Sequence, residues 1–543
     1  METDPISKEG FFGRREILDL LEKRFKAFLN GYRHNIGLIG LPHIGKSSIL
    51  AYFLHSVVAQ EAIPIFIRLQ EGDSFSVFSQ KWLGGILHGY QNFLQLQPAI
   101  TFGGLVRQMR RRLPRLLKKM RRVKKLVQNR RYNESYQELL NLSQMIHEES
   151  GHRILFVIDE FDRLVNLPLD NPFGKLGKEI MLQKNTMFVV SSSKPEAAQE
   201  IFKDKLALLF SNFETIKVHQ LNFEEADQWV SERFVKTFSD PFLRKIFLYL
   251  TNGHPYYLDL LMRKLEILRR SEQMEEITLH LFILAITQEL FDHQGALYQH
   301  FLRNVCSVSR SRSSLAAGDV LLALALGRKK VSAIVKYLDA KVVDVKKVLQ
   351  RLLEDGFVEK RGSFFDIADL LFRFWLAEVY FRKRAALDSD YETSRSEFII
   401  ALESFLKAVT LEERKDLTLR IEELFKRFHN EVVRLETTKV RCPRFTEVHA
   451  RPTNGRAFPV LATSQNSNWL CQVVRDRLEE DDVRLFLDDL NKSKNQIQKR
   501  LMIALQGMDL NAKLLARVAK VELWNLRDLN ILMDLYGRPK VIQ

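Results

Sequence analysis

Gly40-Leu41-Pro42-His43-Ile44-Gly45-Lys46-Ser47 fits the pattern G-x-x-x-x-G-K-[ST], and it constrains the fold more than any other stretch. A loop of this kind works between a buried strand and a helix, where backbone N–H groups converge on one anion. The flanks meet that demand. Asn35 to Ile39 is a short apolar run, and Ser48-Ile49-Leu50-Ala51-Tyr52-Phe53-Leu54 reads as a helix. Gly40 and Gly45 let the backbone approach phosphate oxygens, with Pro42, His43, Ile44 and Ser48 completing the cradle. Lys46 is expected to reach the β- and γ-phosphates, and the Ser47 hydroxyl to ligate Mg2+. The chain is expected to bind a nucleoside triphosphate with Mg2+.

A second segment supports the first. Arg153-Ile154-Leu155-Phe156-Val157-Ile158-Asp159-Glu160 is an apolar run ending in two acids, as a buried parallel strand would. Ligands sit at the C-terminal ends of such strands. Asp159 is expected to hold Mg2+ through water, and Glu160 to orient or deprotonate the attacking water. Asp162 reads as a capping or loop residue. Ala62 to Leu69, Met187 to Ser191 and Thr215 to Val218 read as further strands between helical segments. Alternation of this kind predicts an α/β fold with a doubly wound parallel sheet. Ser191 ends its strand beside the expected phosphate strand and is a candidate γ-phosphate sensor. Ser192 and Ser193 are nearly as eligible, and a plain serine-rich turn before Lys194-Pro195 is the competing reading.

At 543 residues, the chain is expected to hold roughly three to five domains. Cys306, Cys442 and Cys471 are the only cysteines and lie far apart, which argues against a disulfide scaffold or a zinc site. No apolar stretch approaches bilayer-spanning length and the start lacks signal-peptide character, so a soluble cytoplasmic protein is expected. The net charge is +16, and Arg107 to Arg131 holds thirteen Lys or Arg and no acid. Leu105, Met109, Leu113, Leu116, Leu117, Met120, Val123 and Val127 interleave at three-to-four spacing. An amphipathic basic helix is predicted, with a kink at Pro114. Its Arg110, Arg111, Arg112, Arg115, Lys118, Lys119, Arg121, Arg122, Lys124 and Lys125 suit a phosphate backbone, an acidic partner or an anionic membrane surface. DNA is the favoured partner.

Three motifs then carry a family resemblance. Phe11-Phe12-Gly13-Arg14-Arg15-Glu16 resembles the F-x-G-R-x-x-E box of STAND and origin-recognition-like AAA+ ATPases. Asn252-Gly253-His254-Pro255-Tyr256-Tyr257-Leu258 resembles the G-x-P motif of their helical lid. Asp369-Leu370-Leu371-Phe372-Arg373-Phe374-Trp375-Leu376 is similar to the D-P-L-F-R-F-W motif of prokaryotic archaeal-type ATPases. The resemblance implies that Gly13, Arg14 and Pro255 line the adenine and sugar side of the nucleotide, and that nucleotide state moves the lid. One position departs: where the family commonly has an arginine before the fifth strand, this chain has Asn212. Slow hydrolysis is implied, or a finger supplied by Arg14, Lys203 or a partner.

The resulting layout is an ATPase core over 1–222 with a basic helical insertion at about 100–135, then a helical lid over 223–293. A winged-helix domain follows over 294–385, with helices at Val331 to Ala340 and Asp344 to Glu354 and a hairpin around Arg361-Gly362-Ser363. Lys341, Lys346, Lys347 and Arg351 on its second helix are expected to be exposed and could meet phosphates. Residues 386–445 read as a linker of charged amphipathic helices, with Leu424-Phe425 and Val432-Val433 on their apolar face. Residues 446–543 read as an α/β domain. In related ATPases this region resembles a restriction-endonuclease-like fold, whose E-x-K positions here hold Gln472 and Val474. No nuclease activity is expected, since such chemistry needs clustered carboxylates. The expected function is an ATP-dependent switch that binds DNA. The alternative is a STAND-type signalling ATPase that senses a protein or ligand and oligomerises without DNA.

Overall fold

Strand-type and helical runs alternate through the N-terminal part of the chain, and the strands pair in parallel as that order requires. The computed structural model describes residues 11–57, 61–99, 101–205, 213–234, 238–308, 315–367, 369–385, 390–450, 457–465, 467–492 and 497–542. Two compact units result. The first runs through Leu221 and adds His254–Tyr256 and Glu354–Gly356; the second holds the rest.

In the first unit, β1 (Asn35–Ile39), β2 (Ala62–Arg68), β3 (Arg153–Asp159), β4 (Thr186–Ser192) and β5 (Phe213–Lys217) form one sheet in the order β2-β3-β4-β1-β5. Every pairing is parallel. That order sets the C-terminal ends of β3, β4 and β1 side by side. Strand alternation sorts the core into two layers. Leu155 and Val157 pack on one face with Leu21 and Phe25 of α1 (Arg15–Leu29) and Ile49 and Phe53 of α2 (Lys46–Val57). Ile154, Phe156 and Ile158 face the opposite layer, which begins with Trp82 and Ile86 of α3 (Phe75–Phe93).

The same layer contains α4 (Phe102–Met109), α5 (Pro114–Gln128), α6 (Tyr132–Leu140) and α7 (Leu142–Ser150). One kinked basic helix was the expectation; the structure has two helices. Pro114 starts α5 at its first turn, where the missing N–H costs nothing, whereas inside a helix it would break a bond. Glu149 then accepts the backbone N–H groups of Arg115 (2.7 Å) and Leu116 (2.9 Å), capping the new N-terminus. The unit continues with α8 (Pro172–Leu182) and α9 (Pro195–Glu200).

The second unit opens with α10 (Phe223–Arg233), started by a reciprocal Asn222/Glu225 capping box. Then come α11 (Pro241–Thr251), α12 (Pro255–Ser271, whose first two residues belong to the first unit), α13 (Leu279–Leu290) and α14 (Ala296–Val308). Next are α15 (Ala317–Ala325), α16 (Val331–Leu338) and α17 (Val342–Glu354), followed by the hairpin β6 (Glu359–Arg361) and β7 (Phe364–Asp366). Two short helices, α18 (Leu370–Trp375) and α19 (Phe381–Ala385), precede the long α20 (Tyr391–Arg414) and α21 (Leu417–Phe425).

Leu424 and Phe425 are buried on α21, as expected. Val432 and Val433 are not on a helix: they lie in β8 (Glu431–Arg434), which pairs with β9 (Lys439–Cys442). Their β-branched side chains alternate, Val433 buried and Val432 exposed, as a strand with one covered face demands. A five-stranded mixed sheet follows, in the order β10 (Glu447–Ala450), β11 (Ala457–Thr463), β12 (Asn468–Val474), β13 (Lys499–Ala504), β14 (Glu522–Asn525). Its first three strands are antiparallel and its last three parallel. Helices α22 (Glu480–Lys492), α23 (Leu510–Val518) and α24 (Leu526–Leu535) complete it. Among the described residues no helix is long and apolar enough to cross a membrane.

Candidate functional site

Gly40 begins the phosphate loop where β1 ends, and the packing there admits no side chain. A Cβ would lie 2.5 Å from the carbonyl oxygen of Val218. Gly45 has φ +97°, and His43, at φ 56°, also takes the left-handed region. These turns bring the chain into α2 with Lys46 as its first residue. Lys46 is 3% exposed. Its Nζ donates to the carbonyls of Gly40 (3.0 Å) and Leu41 (2.8 Å) and to Ser193 Oγ (2.8 Å). Burial lowers its pKa, against the raising effect of Glu160, Asp159 and Asp162. A cation stored on two carbonyls and a hydroxyl gains from exchanging them for phosphate oxygens.

Asp159 ends β3 and is fully buried. Its Oδ2 accepts from Ser47 Oγ at 2.7 Å and from Arg68 Nε at 2.9 Å, while Oδ1 accepts from Ser191 Oγ. The Ser47 hydroxyl and the Asp159 carboxylate form a pair of hard oxygen donors, the set Mg2+ prefers. Glu160 follows in the left-handed conformation (φ 58°). Its N–H donates to Ser191 Oγ (3.2 Å), and its carboxylate accepts from the Ser193 N–H (3.0 Å) and hydroxyl. Burial raises the Glu160 pKa, partly opposed by Lys46. Were Glu160 the base of a nucleotide hydrolysis it would have to be ionised, and the acid limb of kcat/KM would then lie above the ordinary carboxylate range. Activity should fall as pH drops through that raised pKa. A pH–rate profile checks this; a limb in the ordinary range removes Glu160 as the base.

The three serines at the end of β4 hold different partners. Ser191, the predicted sensor, is fully buried and fixes Asp159 and the Glu160 backbone. Ser193, two residues on and nearer the loop, is the one that joins Lys46 to Glu160. Ser192 turns away and bonds with Lys194. Arg68 was missed altogether. Its signal was a charge at the end of an otherwise apolar strand, which by itself is ordinary; only the register of β2 on β3 sets it opposite Asp159.

Around the loop, Arg14 is also left-handed (φ 60°), beside Gly13 at φ 68°, and its Nη2 donates to the Ile44 carbonyl at 3.2 Å. That contact props the loop from outside. His254 Nε2 lies 3.1 Å from the Pro42 carbonyl oxygen, and the Tyr256 and His43 rings stack at 5.0 Å. Pro255 sits between these two contacts. Ser48 lies in the first turn of α2. Asp162 is buried in a 3-10 turn over Phe161–Asn166. Lys203 is exposed, and Asn212 lies outside the described residues.

The basic stretch packs on the α3 side of the sheet through its apolar residues. Leu116, Leu117, Met120, Val123 and Leu126 of α5 are buried, while Arg115, Lys118, Arg121 and Lys125 share the exposed face. Arg110, Arg111 and Arg112 are exposed between α4 and α5. Glu138 of α6 pairs with Lys119 and Arg122, and Lys124 Nζ stands 3.8 Å over the Phe102 ring. On α17, Lys346 and Lys347 are exposed, as is Lys341 just before it. Arg351 is not: half-buried, it donates to the Val308 carbonyl at 3.1 Å, so the expectation of a fully exposed Arg351 is corrected. Gln472 and Val474 lie on β12, with Val474 buried.

The parallel five-stranded sheet with its phosphate loop makes the first unit an α/β P-loop NTPase fold. No protein-family model and no curated protein matches the sequence. Among solved structures, the chain is similar to the Walker-type ATPase PABY2304 of Pyrococcus abyssi. Identity is 15%, coverage 69% of this chain and 98% of that one, and the TM-score 0.47. The Aeropyrum pernix ORC2 protein, in its ADPNP–ADP complexes, shares 12% identity over 72% of this chain and 95% of that one, with TM-score 0.41. The Aeropyrum pernix ORC1 protein in complex with DNA shares 13% identity over 69% and 94%, with TM-score 0.35.

Proposed function

We propose that this chain is a Mg-ATP-dependent switch of the AAA+, origin-recognition-like kind that hydrolyses ATP slowly and binds double-stranded DNA. The observation that carries the reading is the network at the end of the sheet. One serine, Ser193, contacts both the phosphate-loop lysine and the candidate base. When phosphate oxygens take Lys46, Ser193 loses that partner, so occupancy of the loop is coupled to the setting of Glu160. Ser47, and Asp159 through water, would hold Mg2+, which when bound supplies neutralisation of the phosphate charge. Gly13, Arg14 and Pro255 flank the adenine and sugar. The slow rate rests on Asn212 standing where relatives of this kind have an arginine.

In this reading α10 to α13 are the lid. The segment 294–385 is a winged helix, with α17 as the recognition helix and β6–β7 as the wing. Residues 386–445 link it to a degenerate endonuclease-like module over 446–543. The exposed faces of α5 and α17 meet DNA phosphates. Replacing Arg115, Lys118, Arg121 and Lys125 with Gln is expected to flatten the log-affinity versus log-salt slope by roughly 0.9 per lost contact. An unchanged slope reassigns α5 to another partner. The switch itself is tested by duplex affinity with ATP against ADP, expected to differ by about fivefold or more, with the reciprocal effect on nucleotide affinity. Equal duplex affinities in the two states overturn it, and assembly with ATP but no DNA binding points to a STAND-type signalling ATPase.

A further inference from the structure

We infer that Arg68 is a positioning residue that competes with the divalent cation for Asp159 and so sets how strongly nucleotide binding depends on magnesium. The inference rests on the nucleotide reading above and concerns the regulation of the same site. Arg68 is the last residue of β2, in register with Asp159 on β3. Because the strands are parallel, both side chains emerge at the ligand-binding edge of the sheet. Arg68 Nε is 2.9 Å from Asp159 Oδ2, and its side chain is only 20% exposed. The same oxygen accepts from Ser47 Oγ at 2.7 Å. The carboxylate that would help Ser47 hold a cation is thus paired with a guanidinium.

Charge counting gives the consequence. Within the site Lys46, Arg68 and Arg163 stand against Asp159, Glu160 and Asp162. A dication reaching Asp159 meets the charge of the guanidinium paired with it or must displace it. A nucleotide arriving without metal finds Asp159 already neutralised, which spares the repulsion between carboxylate and phosphate. Arg68 therefore favours metal-free nucleotide and disfavours metal, and removing it should leave Asp159 open and dependent on the cation.

The test is calorimetric titration of the full chain with ADP, in EDTA and in excess Mg2+, for the wild type, Arg68→Ala and Arg68→Lys. The quantity read is the ratio of Kd without magnesium to Kd with it. Arg68→Ala is expected to raise that ratio by about tenfold or more, and Arg68→Lys, which keeps the charge, to bring it most of the way back. A merely structural role would shift both Kd values together. An unchanged ratio in Arg68→Ala, or equal ratios in the two variants, overturns the inference while leaving the nucleotide reading intact. Wild-type protein that binds no ADP in either condition overturns both.

Discussion

Lys46→Ala is expected to reduce ATP affinity by about a hundredfold or more, because charge-assisted bonds to phosphate are lost together with their countercharge. The fold should survive. Lys46 is a buried cation held on two carbonyls and one hydroxyl, and burial already works against its charge, so truncation removes a desolvation cost along with the bonds. Glu160→Gln is the complementary change. It should keep ATP affinity within about threefold and lower single-turnover hydrolysis by roughly 10²–10⁴. Calorimetry and rapid-quench assays on the two variants read these effects separately. Wild-type affinity in the first, or wild-type turnover in the second, would falsify the assignment of these two residues.

The second large effect lies in the other unit and concerns stability. Arg373, from the D-x-x-x-R-type segment after the hairpin, donates to Asp366 (3.1 Å) and Asp534 (2.7 Å). Lys329 Nζ reaches the same two carboxylates at 2.7 and 3.3 Å. Asp534 belongs to α24, so the cluster ties the C-terminal α/β region to the hairpin within that unit. Burial opposes ionisation of Asp534, but Arg373, Lys329 and Lys540 overcome it and hold its carboxyl below the usual range. Removing Arg373 strips both buried carboxylates of a hydrogen-bonded guanidinium partner, at a cost of about 3–5 kcal/mol. Arg373→Ala is therefore expected to lower the melting temperature by on the order of 10 °C. As a control, Arg484→Ala breaks an exposed i,i+4 pair with Glu480 and should shift melting by no more than about a degree or two. Equal shifts in the two variants would remove the cluster as a stabilising feature.

These two sites differ in how far they could be read from the sequence. Lys46, Ser47, Asp159 and Glu160 were legible because local pattern alone defines them: a glycine-framed loop after a strand, and two acids ending another. The parallel sheet was legible for the same reason, since alternating strand and helix runs leave few other ways to bury both faces. Ser193 was one of three adjacent serines, and choosing among them needed its contacts with Lys46 and Glu160. The two-helix form of the basic stretch was half legible: Pro114 marked the break, but the cap came from Glu149, well along the chain. Val432 and Val433 misled because a two-residue apolar pair is too short to reveal its period.

What the amino-acid order determined without help was the phosphate loop, the acid pair and the alternation that builds the sheet, because each follows from contacts within about ten residues along the chain. Arg68 against Asp159, and Arg373 against Asp534, were decided only by the tertiary structure. In both cases a single ordinary charge acquires its meaning from a partner far away in sequence, and strand register or helix docking, rather than local pattern, selects that partner.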